Sequence, residues 1–313
     1  METLEILHGG TFTTIQDLGR KGYQRFGMPT AGAMDTTSLR MANRLVQNDE
    51  GQACLEITLI GLRLLVLRDI MIAITGGDLM PRVNGSPLPL WQTVSIPRDS
   101  EISFTGVRNG IRSYLAVAGG IQVPEIMGSK STYIRGGIGG LEGKALTKGD
   151  RLRIGPQSLR LPLCKLKEEL IPCYGREWKT RVIMGPQDDY FSKKGIETFI
   201  SSEYTITPES DRMGYRLEGP VIEQQRGADI ISDATCLGSI QVPGQGLPII
   251  LFADRQTTGG YPKIATAISV DIYDLGQAKP GDKIRFSPIG IAEAHTVRKD
   301  YERRMKECME IIR

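Results

Sequence analysis

A block of polar residues at positions 254–262 contains the side-chain types that a small polar ligand requires. Its sequence is Asp-Arg-Gln-Thr-Thr-Gly-Gly-Tyr-Pro, and it follows the apolar segment 248–253, which predicts a buried strand. Loops at strand ends commonly carry binding residues, and paired glycines let the backbone approach a ligand closely. A solvent-exposed hairpin rarely combines these residue types, so we predict a ligand-binding loop here.

Two further polar blocks could complete such a site. Residues 16–35 begin with Gln-Asp-Leu-Gly-Arg and end with Ala-Met-Asp, so they include carboxylate, amide and guanidinium groups. The final residue, Asp35, also suits the N-terminal cap of a helix, which is a structural interpretation beside the ligand-binding one. Residues 210–215, Ser-Asp-Arg-Met-Gly-Tyr, place a carboxylate beside an arginine. That pair could stabilise an oxyanion or a phosphate, or it could form a surface ion pair.

Several common kinds of active site are excluded by the sequence. The histidines are His8 and His295, near opposite ends of the chain, and the cysteines form no Cys-x-x-Cys pair, so no metal site is predicted. No serine has glycine two positions before and two after it, which excludes the nucleophile elbow of the α/β-hydrolases. The glycine-rich segment 135–145 fits neither the P-loop nor the dinucleotide-binding pattern and indicates a flexible loop.

Composition and charge are those of an ordinary water-soluble protein. Of the 313 residues, 40% are hydrophobic and 24% are charged, and 39 Lys and Arg against 36 Asp and Glu leave a net charge of +3. This excess is too small and too evenly spread to predict nucleic acid or a membrane as a partner. No apolar run approaches the ~18 residues of a membrane-spanning helix, and the first ten residues lack the features of a secretory signal. The five cysteines, an odd number, fit reduced thiols, and we expect a cytoplasmic protein.

The spacing of apolar residues predicts a mainly β protein with a few helices. Short apolar and β-branched runs recur between turn residues, and the chain has 37 glycines and 17 prolines. Helices are predicted at residues 35–48, at about 190–201 and over an amphipathic C-terminal stretch at 297–312. The predicted strands are residues 54–59, 62–67, 70–75, 93–96, 113–118, 181–184, 239–242, 248–253 and 264–270.

A weak internal repetition is consistent with two similar halves. The glycine pattern of residues 22–27 returns at 214–219, and the Gly-Asp turn at 149–150 returns at 281–282. Because the two offsets differ, chance recurrence of such turns explains the repetition as well as duplication does. The strand pattern is lost after residue 156. We predict a first β-rich half over residues 1–160, a connector at 161–180, a second half at 181–288 and a C-terminal helix at 289–313.

The three polar blocks and two further segments together match a known pattern. They are QDLGRKGYQRFGMPTAGAMD from residue 16, YLAVAGGIQVPEIMGSKST from 114, SDRMGYRLEGP from 210, GSIQVPGQGLPIIL from 238 and DRQTTGGYPKIA from 254. With these segments the chain resembles the family of the 5-oxoprolinase C subunit. That family includes the KipA antagonist of a kinase inhibitor and is similar to the carboxyltransferase part of urea carboxylase, of the type once called allophanate hydrolase subunit 2. The resemblance implies two cyclophilin-like β-barrel halves in tandem.

The resemblance implies a subunit of a bacterial ATP-dependent 5-oxoprolinase, which opens the lactam of 5-oxoproline (pyroglutamate) to give glutamate. A lactam carbonyl is a poor electrophile, and phosphorylation of its oxygen would need cationic groups and a carboxylate that orients water. On the matching motif residues we assign catalytic roles to Asp17, Arg20, Asp211, Arg212 and Asp254. We assign substrate binding to Gln16, Asp35, Gln241, Gln256, Thr257, Thr258, Tyr261 and Lys263, of which Lys263 could also meet the phosphoryl charge.

The resemblance also implies cofactors and partners. ATP with magnesium is expected, bound mainly by a partner subunit because this chain has no nucleotide motif. Covalent biotin is not expected here, because the pair Met305-Lys306 lies in a predicted helix instead of a hairpin tip. The expected partners are the B-type (KipI-like) and A-type (lactam-utilising) subunits of 5-oxoprolinase. Two alternatives stay open: the carboxyltransferase subunit of a biotin-dependent urea or amide carboxylase, and a KipA-like antagonist of a histidine-kinase inhibitor.

Overall fold

The computed structural model describes residues 2–156 and 161–311, and the chain divides into two compact units. The first unit comprises Met1–Lys21, Ala31–Tyr174 and Glu307–Arg313, and the second comprises Gly22–Thr30 and Gly175–Lys306. The long passage from the first unit to the second therefore falls after Tyr174, inside the segment predicted as a connector.

The strands of the first unit form two main sheets. They are β1 (Glu2–Gly9), β2 (Phe12–Gln16), β3 (Cys54–Thr58), β4 (Leu62–Val66), β5 (Ile70–Asp78), β6 (Pro81–Val83), β7 (Ser86–Pro87), β8 (Thr93–Ile96), β9 (Glu101–Phe104), β10 (Asn109–Val117), β11 (Ile121–Gln122), β12 (Arg151–Ile154) and β13 (Cys164–Leu166). One sheet has the hydrogen-bonded order β11-β12-β1-β4-β9-β6-β7, and the other has the order β2-β3-β10-β5-β8. Apolar residues from both sheets share one core.

Strand β5 shows how alternating side chains build two cores. Ile70 and Ile72 lie in the core shared by the two sheets. Met71 and Ala73 point to the opposite face and belong to a second apolar cluster, which the helix α1 (Thr36–Leu45) covers. Because successive strand residues face opposite sides, a strand buried on both faces needs a continuous apolar run, and β5 has one.

Helix α1 begins where the sequence predicts and ends earlier. Asp35 is its N-terminal cap, and the Oδ1 atom of Asp35 accepts a hydrogen bond of 2.9 Å from the backbone N–H of Ser38. The helix was expected to run through Asn48, but it ends at Leu45. Gln47 has a φ angle of 57°, a left-handed conformation that terminates helices.

The second unit contains a closed β-barrel. The strands of this unit are β14 (Glu177–Met184), β15 (Glu203–Ile206), β16 (Gly214–Glu218), β17 (Asp233–Ala234), β18 (Ser239–Gln241), β19 (Ile249–Leu251), β20 (Thr258–Gly259), β21 (Lys263–Ala267) and β22 (Lys283–Pro288). The barrel has the order β14-β21-β18-β19-β16-β15-β22, and parallel pairing of β22 with β14 closes it. Strands β17 and β20 form a separate antiparallel pair beside it.

Three α-helices accompany the barrel: α2 (Lys193–Ser201), α3 (Ser269–Leu275) and α4 (Ile291–Lys306). Phe199 of α2 stacks on Phe286 of β22 with ring centroids 4.5 Å apart, so aromatic packing attaches this helix to the barrel. Short 3-10 helices occur at Gln24–Phe26, Ile134–Gly136, Glu168–Leu170 and Asp188–Tyr190. Across residues 2–156 and 161–311, no helix is long and apolar enough to span a membrane.

The predicted fold class, mainly β with a few helices and barrel-forming strands, is confirmed. The two units nevertheless differ in how their strands pair. The second unit closes into a ring, whereas the described strands of the first form two main sheets and one further two-stranded pair. Strands β7 and β11, at the edges of the larger sheet, are only two residues long and therefore offer little backbone for further pairing.

The C-terminal helix is shorter than the sequence predicts. It was expected to continue to residue 312, but α4 ends at Lys306, and β23 (Met309–Ile311) follows it. Strand β23 pairs with β13 in antiparallel orientation, which satisfies backbone groups that a lone strand would leave unpaired. Strand β13 and the beginning of β14 also give regular structure to part of the segment 161–180, which was predicted as a connector.

We expect Asp35→Ala to lower the free energy of unfolding by about 2 kcal/mol. A helix cap contributes about 1 kcal/mol, and the buried hydroxyls of Ser38 and Tyr174 would also lose the Oδ2 atom that accepts from them at 2.6 Å and 3.3 Å. Urea-induced unfolding measures the change. Thr36→Ala, at the first helical position, is the matched control and should shift stability by less than about 0.5 kcal/mol. Equal effects of the two substitutions would contradict the capping role.

Candidate functional site

In the first unit, Asp17 joins two loops and has its carboxylate fully occupied. The Oδ1 atom accepts hydrogen bonds from the N–H of Gly19 at 2.7 Å and from the hydroxyls of Ser129 and Ser131 at 2.7 Å and 2.5 Å. The Oδ2 atom accepts from the N–H of Lys130 at 2.6 Å. A carboxylate with four donors is held rigidly, so the structure gives Asp17 a loop-anchoring role. The catalytic assignment of Asp17 stays a prediction.

Gln16 and Arg20 lie on either side of this anchor and are both fully buried. The guanidinium of Arg20 donates to the backbone oxygens of Ile126 and Ser131. The Nε2 atom of Gln16 donates to the backbone oxygen of Thr132 at 3.1 Å. The Oε1 atom of Gln16 is buried and accepts no hydrogen bond from the residues that the structure describes. That oxygen is an open acceptor for a water or a ligand N–H group.

Asp35 belongs to a buried network that the sequence did not reveal. The phenol of Tyr114 donates to the Oε2 atom of Glu56 at 2.8 Å and accepts from the N–H of Asp35 at 2.8 Å. Burial, followed by the charges of Glu56 and Asp35, raises the pKa of Tyr114 well above its ordinary value, so the phenol stays protonated. Asp35 is completely buried, and its observed contacts stabilise the start of α1. Its assignment to substrate binding stays a prediction.

In the second unit, Asp254 and Arg212 form a bidentate ion pair. The Nε and NH2 atoms of Arg212 donate to the two carboxylate oxygens of Asp254 at 2.9 Å and 3.0 Å. Asp254 is only 8% exposed and Arg212 only 7%. The pair therefore ties the loop after β19 to the loop before β16, and the carboxylate is directed at an arginine. Asp211 lies on the surface, and its Oδ1 atom accepts from the N–H groups of Met213 and Gly214 in a local turn.

Lys263 is a buried cation of the second unit, and its partner is an exposed carboxylate. Its Nζ atom lies 2.6 Å from the Oδ2 atom of Asp233, and its side chain is 4% exposed whereas that of Asp233 is 50% exposed. Gln187 contacts both, because its Nε2 atom donates to Asp233 at 3.3 Å and its Oε1 atom accepts from the N–H of Lys263 at 3.2 Å. The hydrogen bond from Lys263, then that from the N–H of Ala234, lowers the pKa of Asp233.

Two glutamines complete this group. Gln241 lies directly opposite Lys263 in the pairing of β18 with β21 and is 2% exposed. Its Oε1 atom accepts from the Nε2 atom of Gln256 at 3.3 Å, and its own Nε2 atom donates to the backbone oxygen of Tyr261 at 3.4 Å. A Cβ atom on Gly259 would lie 2.4 Å from Nε2 of Gln241, so a side chain there would displace the carboxamide of Gln241. We call Gln187, Asp233, Gln241, Gln256 and Lys263 the barrel-end cluster.

The structure thus distributes the predicted site residues over two units. The first unit holds Gln16, Asp17, Arg20 and Asp35, and the second holds Asp211, Arg212, Gln241, Asp254, Gln256, Thr257, Thr258, Tyr261 and Lys263. Gln256 is hydrogen-bonded to Gln241, which is the strand partner of Lys263, and their assignment to substrate binding stays a prediction. Thr258 and Tyr261 are exposed beside them, while the backbone oxygen of Thr257 accepts from the N–H of Thr235 at 3.0 Å.

Sequence reasoning missed Asp233 and Gln187. Their contacts with Lys263 bridge 30 and 76 positions of the chain, so no local pattern predicts them. One signal was available: residues 229–235, Asp-Ile-Ile-Ser-Asp-Ala-Thr, have two carboxylates and two hydroxyls just before a predicted strand. A lysine near such a segment, once buried, requires a carboxylate partner.

The pair of Lys263 with Asp233 should make the second unit sensitive to acid. The folded pKa of Asp233 lies below its ordinary value of 3.8, so this carboxylate stabilises the fold above that value and ceases to do so as the pH falls through the folded pKa. We expect the acid-induced loss of melting temperature between about pH 5 and pH 2 to be smaller in Asp233→Asn than in the wild type. Asp229→Asn, at a carboxylate four positions earlier, is the control, and its melting temperature should depend on pH as that of the wild type does. An unchanged acid profile in Asp233→Asn would argue against the pair.

Asp254→Asn should destabilise the fold by about 3 kcal/mol, because it leaves the buried Arg212 guanidinium without its counter-charge. Urea-induced unfolding gives the magnitude. A double substitution, Arg212→Met with Asp254→Leu, removes both charges and should cost less than Asp254→Asn alone. If Asp254→Asn unfolds at the wild-type urea concentration, the ion pair has no structural importance.

Known proteins are similar in sequence to this chain over nearly its whole length. The carboxyltransferase domain family, with its subdomains A and B, matches residues 26–288. The 5-oxoprolinase C subunit of Escherichia coli strain K12 is 38% identical over 305 residues, which are 96% of this chain and 96% of that protein. The 5-oxoprolinase C subunit of Haemophilus influenzae is 34% identical over 309 residues, 99% of this chain and 98% of that protein.

A solved structure is similar over the same range. The crystal structure of Kluyveromyces lactis urea carboxylase matches 98% of this chain with a TM-score of 0.91 and 31% sequence identity. This chain covers 29% of that longer protein. The family match and the two relatives each cover most of this chain. This chain therefore belongs to the carboxyltransferase domain family, the family that includes the C subunit of 5-oxoprolinase.

Proposed function

We propose that this chain is the C subunit of a bacterial ATP-dependent 5-oxoprolinase. The proposal is supported by relatives of that name that are similar over almost their whole length. The structural observation that carries it is the barrel-end cluster. There, the buried ammonium of Lys263 binds Asp233. Gln241, the strand partner of Lys263, is hydrogen-bonded to Gln256 of the polar loop at 254–262.

The cluster matches the polar groups of a lactam. A five-membered lactam acid has a ring N–H, a ring carbonyl and a carboxylate, and glutamine carboxamides can both donate to and accept from the amide. An ammonium has three hydrogens, of which Asp233 accepts one. Lys263 can therefore donate to an anionic oxygen of the substrate as well. Gly259 keeps the backbone of β20 close to Gln241 and leaves no side chain in between.

The same groups suit the opening of the ring. Phosphorylation places negative charge around the lactam oxygen before water attacks the carbon, and a preorganised ammonium stabilises that charge more strongly where water is excluded. We assign this role to Lys263, whose side chain is 4% exposed. Asp233 is half-exposed and is placed to orient the attacking water. Arg212 and Asp254 act as a positioning pair that holds the loop carrying Gln256.

Partner subunits complete the proposed reaction. We propose that ATP with magnesium binds mainly on the B-type and A-type subunits, because the sequence of this chain offers no nucleotide motif. Those subunits would deliver the activating phosphoryl group, and this chain would bind and orient the lactam. We also propose a cytoplasmic complex, in line with the location expected from the sequence.

Carboxyl transfer is the second candidate, favoured by the family match and by the likeness to urea carboxylase. A ureido group presents the same N–H and C=O pattern as a lactam, so Gln241 and Gln256 could bind it in the same way. The two functions are separated by substrate. Urea-dependent and biotin-dependent carboxylation without hydrolysis of 5-oxoproline would favour carboxyl transfer.

Lys263→Met should lower the kcat/KM of the reconstituted complex for 5-oxoproline by on the order of 100-fold, because the phosphoryl group on the lactam oxygen loses the cation that balances its charge. Methionine fills nearly the same volume, so assembly should be retained. Lys194→Met, at an exposed lysine of α2, is the matched control and should keep full turnover. Wild-type activity in Lys263→Met would remove this residue from the active site.

The purified chain alone should show negligible ATP hydrolysis that depends on 5-oxoproline. Addition of the B-type and A-type subunits should restore turnover, because the nucleotide is expected to bind there. A coupled assay for ADP release, with and without each of these proteins, tests this dependence. Full turnover by the single chain would refute the proposed division of labour.

A further inference from the structure

An exposed segment of the second unit carries the carboxylate that binds the buried lysine of the barrel-end cluster. It comprises residues 227–234, which we call the strap, and it includes β17. Six of its eight residues are exposed and the other two are half-buried, with Ile231 94% exposed. A segment that buries so little apolar surface gains little free energy from packing. The strap therefore belongs to the parts of a fold that open locally.

Both ends of the strap are attached to the rest of the second unit. Before it, the N–H of Arg226 donates to the backbone oxygen of Tyr190 at 3.4 Å, and the guanidinium of Arg226 binds Asp189. After it, the N–H of Thr235 donates to the backbone oxygen of Thr257 at 3.0 Å, and Thr235 is 5% exposed. The strap is thus a short segment between two fixed points, as lids over binding sites commonly are.

Between these ends, polar contacts hold the strap. Strand β17 pairs with β20 over only two residues of each strand. The N–H of Ile230 donates to the backbone oxygen of Gly260 at 2.8 Å, and the Nε2 atom of Gln187 donates to Asp233 at 3.3 Å. Polar contacts at the surface can be exchanged for contacts with water, so each of them contributes little to keeping the strap in place.

The ion pair of Asp233 with Lys263 decides access to the buried ammonium. The Nζ atom of Lys263 lies 2.6 Å from the Oδ2 atom of Asp233, and the two side chains are 4% and 50% exposed, respectively. The carboxylate therefore lies on the solvent side of the ammonium. A ligand oxygen that comes from solvent to bind Lys263 must pass the position of Asp233, so β17 has to move.

We propose that the strap is a lid over the barrel-end cluster and that the ion pair of Asp233 with Lys263 holds it closed. Opening separates β17 from β20 and leaves the ammonium of Lys263 without its counter-charge, which is unfavourable at a buried position. A small oxyanion on the ligand restores that charge. The ligand class is therefore a small molecule with an anionic oxygen, which enters when the strap is open.

The direction of the cycle rests on the proposed function. A lactam acid has a carboxylate and, once activated, a phosphoryl group, so it belongs to the ligand class that the lid admits. Closing of the strap over the bound lactam brings Asp233 back to the position from which it orients water. The opening of the strap itself does not depend on that function and is tested without substrate.

A reversible disulfide between the strap and the loop below it gives the test. The Oγ atom of Ser232 lies 3.8 Å from the position that a Cβ atom on Gly260 would take. The double substitution Ser232→Cys with Gly260→Cys therefore places two thiols where a small shift allows a disulfide. Cys173→Ser and Cys236→Ser remove the exposed thiols that could pair wrongly. Oxidation locks the strap closed, and reduction releases it.

Acetylation of Lys263 by acetic anhydride, followed by peptide mass spectrometry, measures access to the ammonium in the full chain. We expect oxidation of the lock to slow acetylation of Lys263 by on the order of tenfold or more, because the amine is reached only through the open state. Lys194, which is exposed on α2, is the internal control and should react equally in both forms. Equal acetylation of Lys263 in the oxidised and reduced forms would overturn the proposal.

Hydrogen exchange tests the part played by the ion pair. Amides of the strap should exchange faster than those of β21, and Asp233→Asn should accelerate exchange in the strap by about threefold, because an ion pair with an exposed partner contributes modestly. Asp229→Asn removes another carboxylate of the strap and is the matched control, with exchange as in the wild type. The proposal is wrong if Asp233→Asn leaves strap exchange unchanged, or if the strap exchanges as slowly as β21.

Turnover of the reconstituted complex connects the lid to the reaction. Oxidation of the lock should lower the rate with 5-oxoproline by on the order of tenfold or more, and reduction should restore it. The wild-type complex, with and without the reductant, is the control and should show one rate. Equal turnover with the oxidised and reduced lock would overturn the lid as the entry route. If the wild-type complex did not turn over 5-oxoproline, the proposed function would be wrong, and acetylation of Lys263 would still confirm or overturn the lid.

Discussion

A charged side chain that is removed from water must find its counter-charge or its hydrogen bonds inside the protein. In the second unit, the pairs Arg212 with Asp254 and Lys263 with Asp233 meet this requirement. Each pair joins segments far apart in sequence. The first pair joins the loop after β19, which carries Gln256, to the loop before β16, and the second joins β21 to β17.

In the first unit, Asp17 and Arg20 have neutral groups among their partners. Asp17 is surrounded by backbone N–H groups and serine hydroxyls, while the guanidinium of Arg20 donates to backbone oxygens. Hydrogen bonds to a carboxylate are strong, so this arrangement orders loops without an arginine or lysine opposite the acid. The carboxylate of Asp17 thus holds its loops with neutral hydrogen-bond donors, whereas that of Asp254 holds its loop through an ion pair.

The local parts of the fold could be predicted from the sequence. Short runs of apolar and β-branched residues indicated strands such as Cys54–Thr58 and Leu62–Val66, and Asp35 marked the start of α1. The pairing of those strands depends on contacts between distant residues. No local sequence pattern therefore predicted that the second unit forms a closed barrel and that the described strands of the first do not. The polar loop 254–262 was recognisable because its composition is unusual. The carboxylates of Asp233 and Glu56 were not, since an acid gains a partner only when the chain brings a distant residue to it.

Strand β23 has a consequence for how the chain folds during synthesis. Its residues, 309–311, are translated after the whole second unit, yet they pair with β13 at residues 164–166 of the first. On the ribosome, β13 therefore waits without this partner strand while the intervening residues of the second unit emerge. An edge left open for that time is a site for pairing with another chain. The second unit can close its barrel early, but the first is finished only with the last strand.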